Sequence, residues 1–246
     1  MTLTDLSDHR ADDLPLALAR LHRATDVGDR LHVTFPEGLD HDVAASGFTR
    51  GDLITGGGFR ADGCDDPVGD DAGGCHLIRL RTLPDTVAAD MTMLVVGLNP
   101  SVYSADAGAG FARPGNRFWP AMIEAGLVTV ARDTIATLVD HGIGMTDAVK
   151  RATPRSAELA RDEYVEGFER LERLVTWLSP GVVCMVGLEG WRLAVDRRAS
   201  VGLQDDRLGG RPVYVMGSTS GLNAHQQLPA AAAHLEAAFA IGADGG

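Results

Sequence analysis

The chain has 246 residues, 45% of them hydrophobic, with three cysteines and a formal charge of −12, from 22 Lys and Arg against 34 Asp and Glu. An apolar run of about 18 residues, the mark of a helical membrane span, is missing, and three thiols argue against a disulfide framework or a four-thiolate cluster. The acidic balance argues against a nucleic-acid partner for the surface as a whole, but net charge does not describe a local face.

The N-terminal stretch MTLTDLSDHRADDLPLALARLHRATD is acidic and has no basic segment leading into an apolar one, so a cytoplasmic protein is expected. Leu14 to Ala24 has helical spacing, RLHVTFP is extended, and a Gly-rich turn is expected near Gly56. Residues 63–74, GCDDPVGDDAGG, read as a loop. CHLIRLRTL, Cys75 to Leu83, alternates like a half-buried strand. Residues 1–88 are therefore expected to form a small α+β appendage of unassigned role.

From Met91 the pattern becomes α/β. MTMLVVGL is a continuous apolar run, as in a strand covered on both faces. NRFWPAMIEAGL has helical spacing, with Gly126 as a stop. GIGMTDAV is a second strand, and Ser156 to Leu178 is the strongest amphipathic helix. GVVCMVG is a third strand, GWRLAVDRRA a helix, RPVYVMG a fourth strand, and Pro229 to Ala240 a closing Ala-rich helix. Strands alternating with helices predict a three-layer α/β/α domain over residues 89–243, with a central, mostly parallel four-stranded sheet. Ligands of such folds bind beyond the carboxyl ends of the strands. Two unusual loops lie there, from Asn99 to Gly115 and from Ser218 to Gln227.

The first loop opens with Gly97, Leu98, Asn99, Pro100 and Ser101. Phe111 follows twelve residues after Asn99, isolated between Gly110 and Ala112, and then come Pro114, Asn116, Arg117, Phe118 and Trp119. With GIGMTDAVKRATPRSAEL after the second strand and STSGLNAH after the last, this series resembles the mismatch-specific uracil-DNA and thymine-DNA glycosylases of the uracil-DNA glycosylase superfamily. The resemblance runs from about Met91 to Phe239. It departs from that pattern at Ser101, which replaces a glycine, and at Gly217 and Ala224.

The resemblance implies an enzyme that flips a base from a G·U or G·T mismatch and hydrolyses its N-glycosidic bond, with no cofactor and no metal, acting as a monomer on double-stranded DNA and not on membranes. It implies that Asn99 positions the attacking water, since an amide has no useful pKa. Phe111 would stack on the base. Gly97, Leu98, Pro100, Ser101, Ser104 and Asn116 would complete the base site, with backbone N–H groups between Pro100 and Ser104 facing the base carbonyls. Ser104 leaves little room for a thymine methyl, so uracil is expected over thymine. Leu222, between Gly221 and Asn223, would fill the vacated stack, with Ser218, Thr219 and Ser220 on phosphates. Lys150 and Arg151 would add charge, although a solvated helix entrance fits them equally.

Other readings stay open. A damaged-base sensor that binds DNA without cutting it fits the same motifs. DDPVGDD, Asp65 to Asp71, is similar to the Ca²⁺-holding motif of nucleoside hydrolases but follows no clear strand. Cys64, Cys75 and His76 lack an evident fourth ligand for zinc.

Overall fold

A computed structural model describes residues 2–64, 74–221 and 227–245. The acidic loop at Asp65 to Asp71 and the expected wedge, Leu222 with Asn223, lie outside the described residues.

The first part of the chain forms β1 (Thr2–Asp5), α1 (Leu14–Arg23), β2 (Arg30–Thr34), α2 (Leu39–Ala44), α3 (Arg50–Gly56), β3 (Phe59–Cys64) and β4 (Gly74–Arg79). The strands pair in the order β1-β2-β4-β3, antiparallel except for β1 with β2. A capping box starts α3: the Thr49 hydroxyl accepts from the Asp52 N–H, and the Asp52 carboxylate accepts from the Thr49 N–H. Cys75 is disulfide-bonded, contrary to the expectation from three thiols, while Cys184 is free and buried.

The larger part contains β5 (Met93–Gly97), α4 (Val102–Ala107), α5 (Phe118–Glu124), α6 (Thr134–His141), β6 (Ile143–Asp147), α7 (Arg161–Leu178), β7 (Val182–Val186), α8 (Leu188–Ala194), β8 (Gly202–Leu208), β9 (Arg211–Met216) and α9 (Leu228–Asp244). Its sheet has five strands, not four, in the order β6-β5-β7-β9-β8. β5, β6, β7 and β9 run parallel, as expected, and the added β8 is an antiparallel edge. Its sequence GLQDDRL is mostly exposed and charged, as suits an edge but not a buried strand.

Alternate residues of β5 face opposite layers. Met93 and Val95 pack with Phe118, Trp119, Met122 and Leu235 of α5 and α9. Leu94 and Val96 join a core that contains Leu171 and Val175 of α7 and runs on into Leu31, Val33, Phe59 and Leu77 of the first sheet. The appendage is thus packed against α7 through one continuous apolar cluster. Phe48 stacks on Trp177 with ring centroids 4.7 Å apart, and Arg173 holds Asp52 through two bonds of 2.9 and 2.8 Å. The connector between the sheets is pinned too: Thr86 forms an antiparallel bridge with Met145 of β6.

Candidate active site

β5 and β6 run side by side and end together, with Gly97 in register with Asp147. A side chain at 97 has no room: a Cβ there would collide with Asp147 Oδ1 and sit 3.4 Å from Phe111 Cζ. Glycine is what lets a carboxyl and an aromatic ring share the space above this strand end. Leu98 points elsewhere. Its side chain packs toward Val149, Leu159 and Tyr164, so it does not line the base site expected for it.

Asn99 follows directly, and its amide is held. Nδ2 donates to Thr153 Oγ1 at 2.7 Å and to the Arg151 carbonyl at 3.0 Å, with a longer contact to the Pro100 carbonyl at 3.3 Å. Thr153 is buried and itself fixed: its hydroxyl donates to the Arg155 carbonyl at 2.9 Å, and its N–H donates to the Pro100 carbonyl at 3.1 Å. Both amide hydrogens of Asn99 are therefore spent on the segment after β6, and the group left for an incoming molecule is the acceptor Oδ1.

The next residues serve the fold more than was expected. Ser101 is the N-cap of α4 and accepts from the Ser104 N–H at 3.1 Å; Ser104 is buried with its hydroxyl 3.0 Å from that of Ser101. The Val102 N–H donates to the Thr153 carbonyl, and Pro100 has no N–H. Of the backbone donors expected to face a base, the amides of Ser101 and Tyr103 are those outside these bonds. Asn116 precedes Arg117, the N-cap of α5, and its Oδ1 accepts from the Phe118 N–H at 2.9 Å, so this oxygen is engaged at the helix start and not in a pocket.

Phe111 stands in the left-handed region at φ 57°, a conformation uncommon for any residue but glycine. Two contacts hold it there. The preceding carbonyl, of Gly110, accepts from Trp119 Nε1 at 2.8 Å, and the Phe111 ring stacks on Phe118 with centroids 4.2 Å apart and planes 26° apart. Its exposed edge lines a cavity with Met145, Thr146, Asp147 and the connector residues Leu83, Pro84 and Thr86. The cavity holds about 20 Å³, room for about one water and far too little for a pyrimidine. Asn99 is not among its lining residues, so the amide and the ring flank the strand end without sharing this cavity.

The two unusual loops meet. The Arg117 N–H donates to the Thr219 carbonyl at 2.9 Å and its guanidinium to the Ser220 carbonyl at 3.3 Å. A Cβ at Gly221 would lie 2.8 Å from the Gly115 carbonyl, so the chains touch at backbone distance. Ser218 and Ser220 are half-buried, and the Ser218 hydroxyl accepts from the Ser220 N–H at 3.3 Å. Thr219 is buried at 1% exposure with its hydroxyl inside, which removes it from the phosphate contacts expected of it.

Lys150 is also corrected. Its ammonium lies inside the protein, 2.7 Å from Asp85 Oδ1, where Arg170 Nη1 also reaches Asp85 Oδ2 at 2.8 Å. Burial by itself would raise the Asp85 carboxyl, but the Arg170 and Lys150 charges outweigh it and hold the group at about 2. Arg151 is exposed, with its fork on Glu163 at 2.6 and 2.8 Å. Asp147 behaves oppositely to Asp85. Burial pushes its carboxyl up to about 6; Lys150 and Arg170 pull against that, and the nearby Asp85 charge adds to it.

Two residues of this constellation were not singled out from the sequence, Asp147 and Thr153. Each had one signal: Asp147 closes a strand of the parallel sheet, at the edge where such folds bind ligands, and Thr153 lies in the segment that follows it. A family model described as "Uracil DNA glycosylase superfamily" matches residues 84–240, well over half of the chain.

Proposed function

Because the chain belongs to the uracil-DNA glycosylase superfamily, whose members are DNA-repair N-glycosidases, we propose that it excises uracil from G·U mismatches in double-stranded DNA by hydrolysis. The observation that carries this reading is the state of Asn99. With Nδ2 committed to Thr153 and Arg151, its Oδ1 is an oriented acceptor at the mouth of the parallel sheet. An acceptor fixed in this way holds a water by one of its hydrogens and aims the oxygen lone pair at the sugar carbon. It does not deprotonate that water, so the rate depends on how well the base leaves. Uracil leaves better than thymine, which makes it the preferred base in this reading.

Phe111 supplies the stacking face. The cavity beside it is too small for a pyrimidine, so base entry in this reading widens it, with binding energy from the duplex driving the opening. The joined loops at Gly115 and Gly221 form the rim that meets DNA, and Leu222 beyond Gly221 fills the emptied stack. The protein acts in this reading as a cytoplasmic monomer, and residues 1–88 form a supporting appendage. Among the described residues, no helix is long and apolar enough to cross a membrane.

The narrow cavity favours one second reading, a sensor that grips a distorted duplex and never admits the base. Single-turnover release of uracil from a G·U duplex separates the two. The enzyme reading expects release by the wild type and a loss of at least about a thousandfold in Asn99→Ala with DNA affinity kept, as for a group acting in the transition state. Binding without release by the wild type favours the sensor, and wild-type turnover in Asn99→Ala refutes the assignment of Asn99.

A further inference from the structure

The connector between the two sheets touches the segment that holds Asn99. Thr82 is buried, and its hydroxyl donates to the Lys150 carbonyl. It lies before residue 84, where the family match begins, so it belongs to the appendage. The turn that ends α3 sets its place. The Leu80 N–H donates to the Gly58 carbonyl at 2.9 Å, and the Asp85 N–H donates to the Gly56 carbonyl at 2.7 Å. A Cβ at Gly56 would collide with Asp85 Oδ2, and one at Gly58 would lie 3.2 Å from Thr82 Cγ2, so turn and connector fit closely. Asp85 grips the same Lys150 by its ammonium, at 2.7 Å. Lys150 is thus held at its carbonyl and at its side chain by residues of one short connector.

The next carbonyl along the chain, that of Arg151, accepts from Asn99 Nδ2 at 3.0 Å. Peptide groups are planar, so only the φ and ψ of Arg151 lie between the group that Thr82 fixes and the group that Asn99 uses. The side chain of Arg151 is tied down as well, with its guanidinium on Glu163 at 2.6 and 2.8 Å. We propose that Thr82 is a positioning residue for Asn99: through the Lys150 carbonyl it sets the direction of the Arg151 carbonyl, which turns the Asn99 amide so that Oδ1 faces the reacting water. The inference rests on the glycosylase reading proposed above and gives the appendage a part in the reaction. Thr82 itself touches neither water nor base. Without its hydroxyl the Lys150 carbonyl loses this partner, the Arg151 peptide is free to turn, and the amide keeps one firm acceptor, Thr153 Oγ1 at 2.7 Å. Orientation is then weakened and not abolished. The rate falls by about tenfold, less than the roughly hundredfold that a misplacement of about 1 Å costs.

The test compares Thr82→Val, which keeps the shape and the methyl group but not the hydroxyl, with Thr82→Ser, which keeps the hydroxyl. The first readout is the side-chain amide pair of Asn99 in heteronuclear NMR spectra, identified as the pair that vanishes in Asn99→Asp. In T82V this pair is expected to move and its hydrogens to exchange with water about tenfold faster or more, while T82S keeps the wild-type signal. The second readout is single-turnover release of 5-fluorouracil from a duplex in which it faces guanine; this base leaves better than uracil and keeps slow variants measurable. T82V is expected to lose about tenfold with DNA affinity kept, and T82S to regain most of that loss. The Asn99→Asp background separates positioning from general loosening. A carboxylate has no hydrogen to give the Arg151 carbonyl, so T82V with N99D is expected to match N99D alone. An unaltered Asn99 pair or a wild-type release rate in T82V overturns the inference, and so does an equal loss in both backgrounds. Should T82V not fold, Thr82→Ala removes the same hydroxyl and takes its place. No release by the wild type overturns the glycosylase reading, and the amide signal then decides whether Thr82 orients Asn99.

Discussion

Replacing Lys150 by methionine separates a phosphate contact from a buried ion-pair partner. The Lys150 side chain is 8% exposed, Asp85 is 4% exposed, and the ammonium is 2.7 Å from the carboxylate. Removing one member of a buried pair costs about 3–5 kcal/mol, because the other charge stays behind. Here Arg170 remains on Asp85 at 2.8 Å, and methionine refills most of the stem, so the expected loss is about 2–3 kcal/mol. For a chain of this size that lowers Tm by about 5–10 °C. The acid limb of stability shifts as well. Asp85 has a lowered pKa in the fold, so its contribution is present above its ordinary value near 3.8 and is lost as pH falls through about 2. With Lys150 gone that depression shrinks, and acid unfolding begins at a higher pH. Thermal and acid unfolding measure the first effect; DNA affinity titrated over salt measures the second. A residue that neutralises one phosphate contributes about 0.9 to the slope of log K against log salt, and Lys150→Met is expected to leave that slope unchanged. A variant with unaltered Tm and a slope reduced by about one would refute the buried-pair account.

Thr153→Val removes the hydroxyl that accepts from Asn99 Nδ2 and frees the amide to rotate; uracil release is expected to fall about 10–100-fold, or about 1.4–2.7 kcal/mol in the barrier, with DNA affinity kept. An unchanged single-turnover rate would show that Thr153 does not position Asn99. Asp147→Asn is expected to change stability with pH in the direction opposite to Asp85. The folded pKa is raised to about 6, so the wild-type contribution is present below about pH 4 and is lost as pH rises through 6. The variant is therefore expected to match the wild type near pH 4 and to exceed it at pH 7 by up to about 3 kcal/mol in urea unfolding. A difference of the same size at both pH values would speak against a buried, titrating carboxyl.

The parallel strands were legible because burial on both faces leaves an apolar run, as in MLVVG and VVCMV. The loop after β5 was legible because Phe111 stands outside any period. β8 was hidden by its edge position: a strand with one partner and charged side chains in water carries no core signature. α3 was missed although its Thr49 and Asp52 form a capping box, because the Gly-rich end at Gly56 to Gly58 read as a turn. Lys150 and Arg151 show what local sequence leaves open. Two adjacent cations in one basic segment point opposite ways, one into the protein toward Asp85 and one out to Glu163, and the difference is made by residues 65 positions before and 12 after them. Thr219 was misread for the same reason, since a hydroxyl between two serines gives no sign that its loop is folded under Arg117.

The apolar cluster that joins the two sheets sets how this protein can be handled and how it can evolve. A fragment trimmed to residues 84–240 would keep every side chain at the strand ends yet strip the cover from α7, leaving Trp177 and its greasy neighbours in water and Arg173 without its acid. Such a fragment would have reason to clump before it ever met DNA. The first third of the chain is in that sense a wall of the catalytic half, and changes on one side of the seam oblige changes on the other.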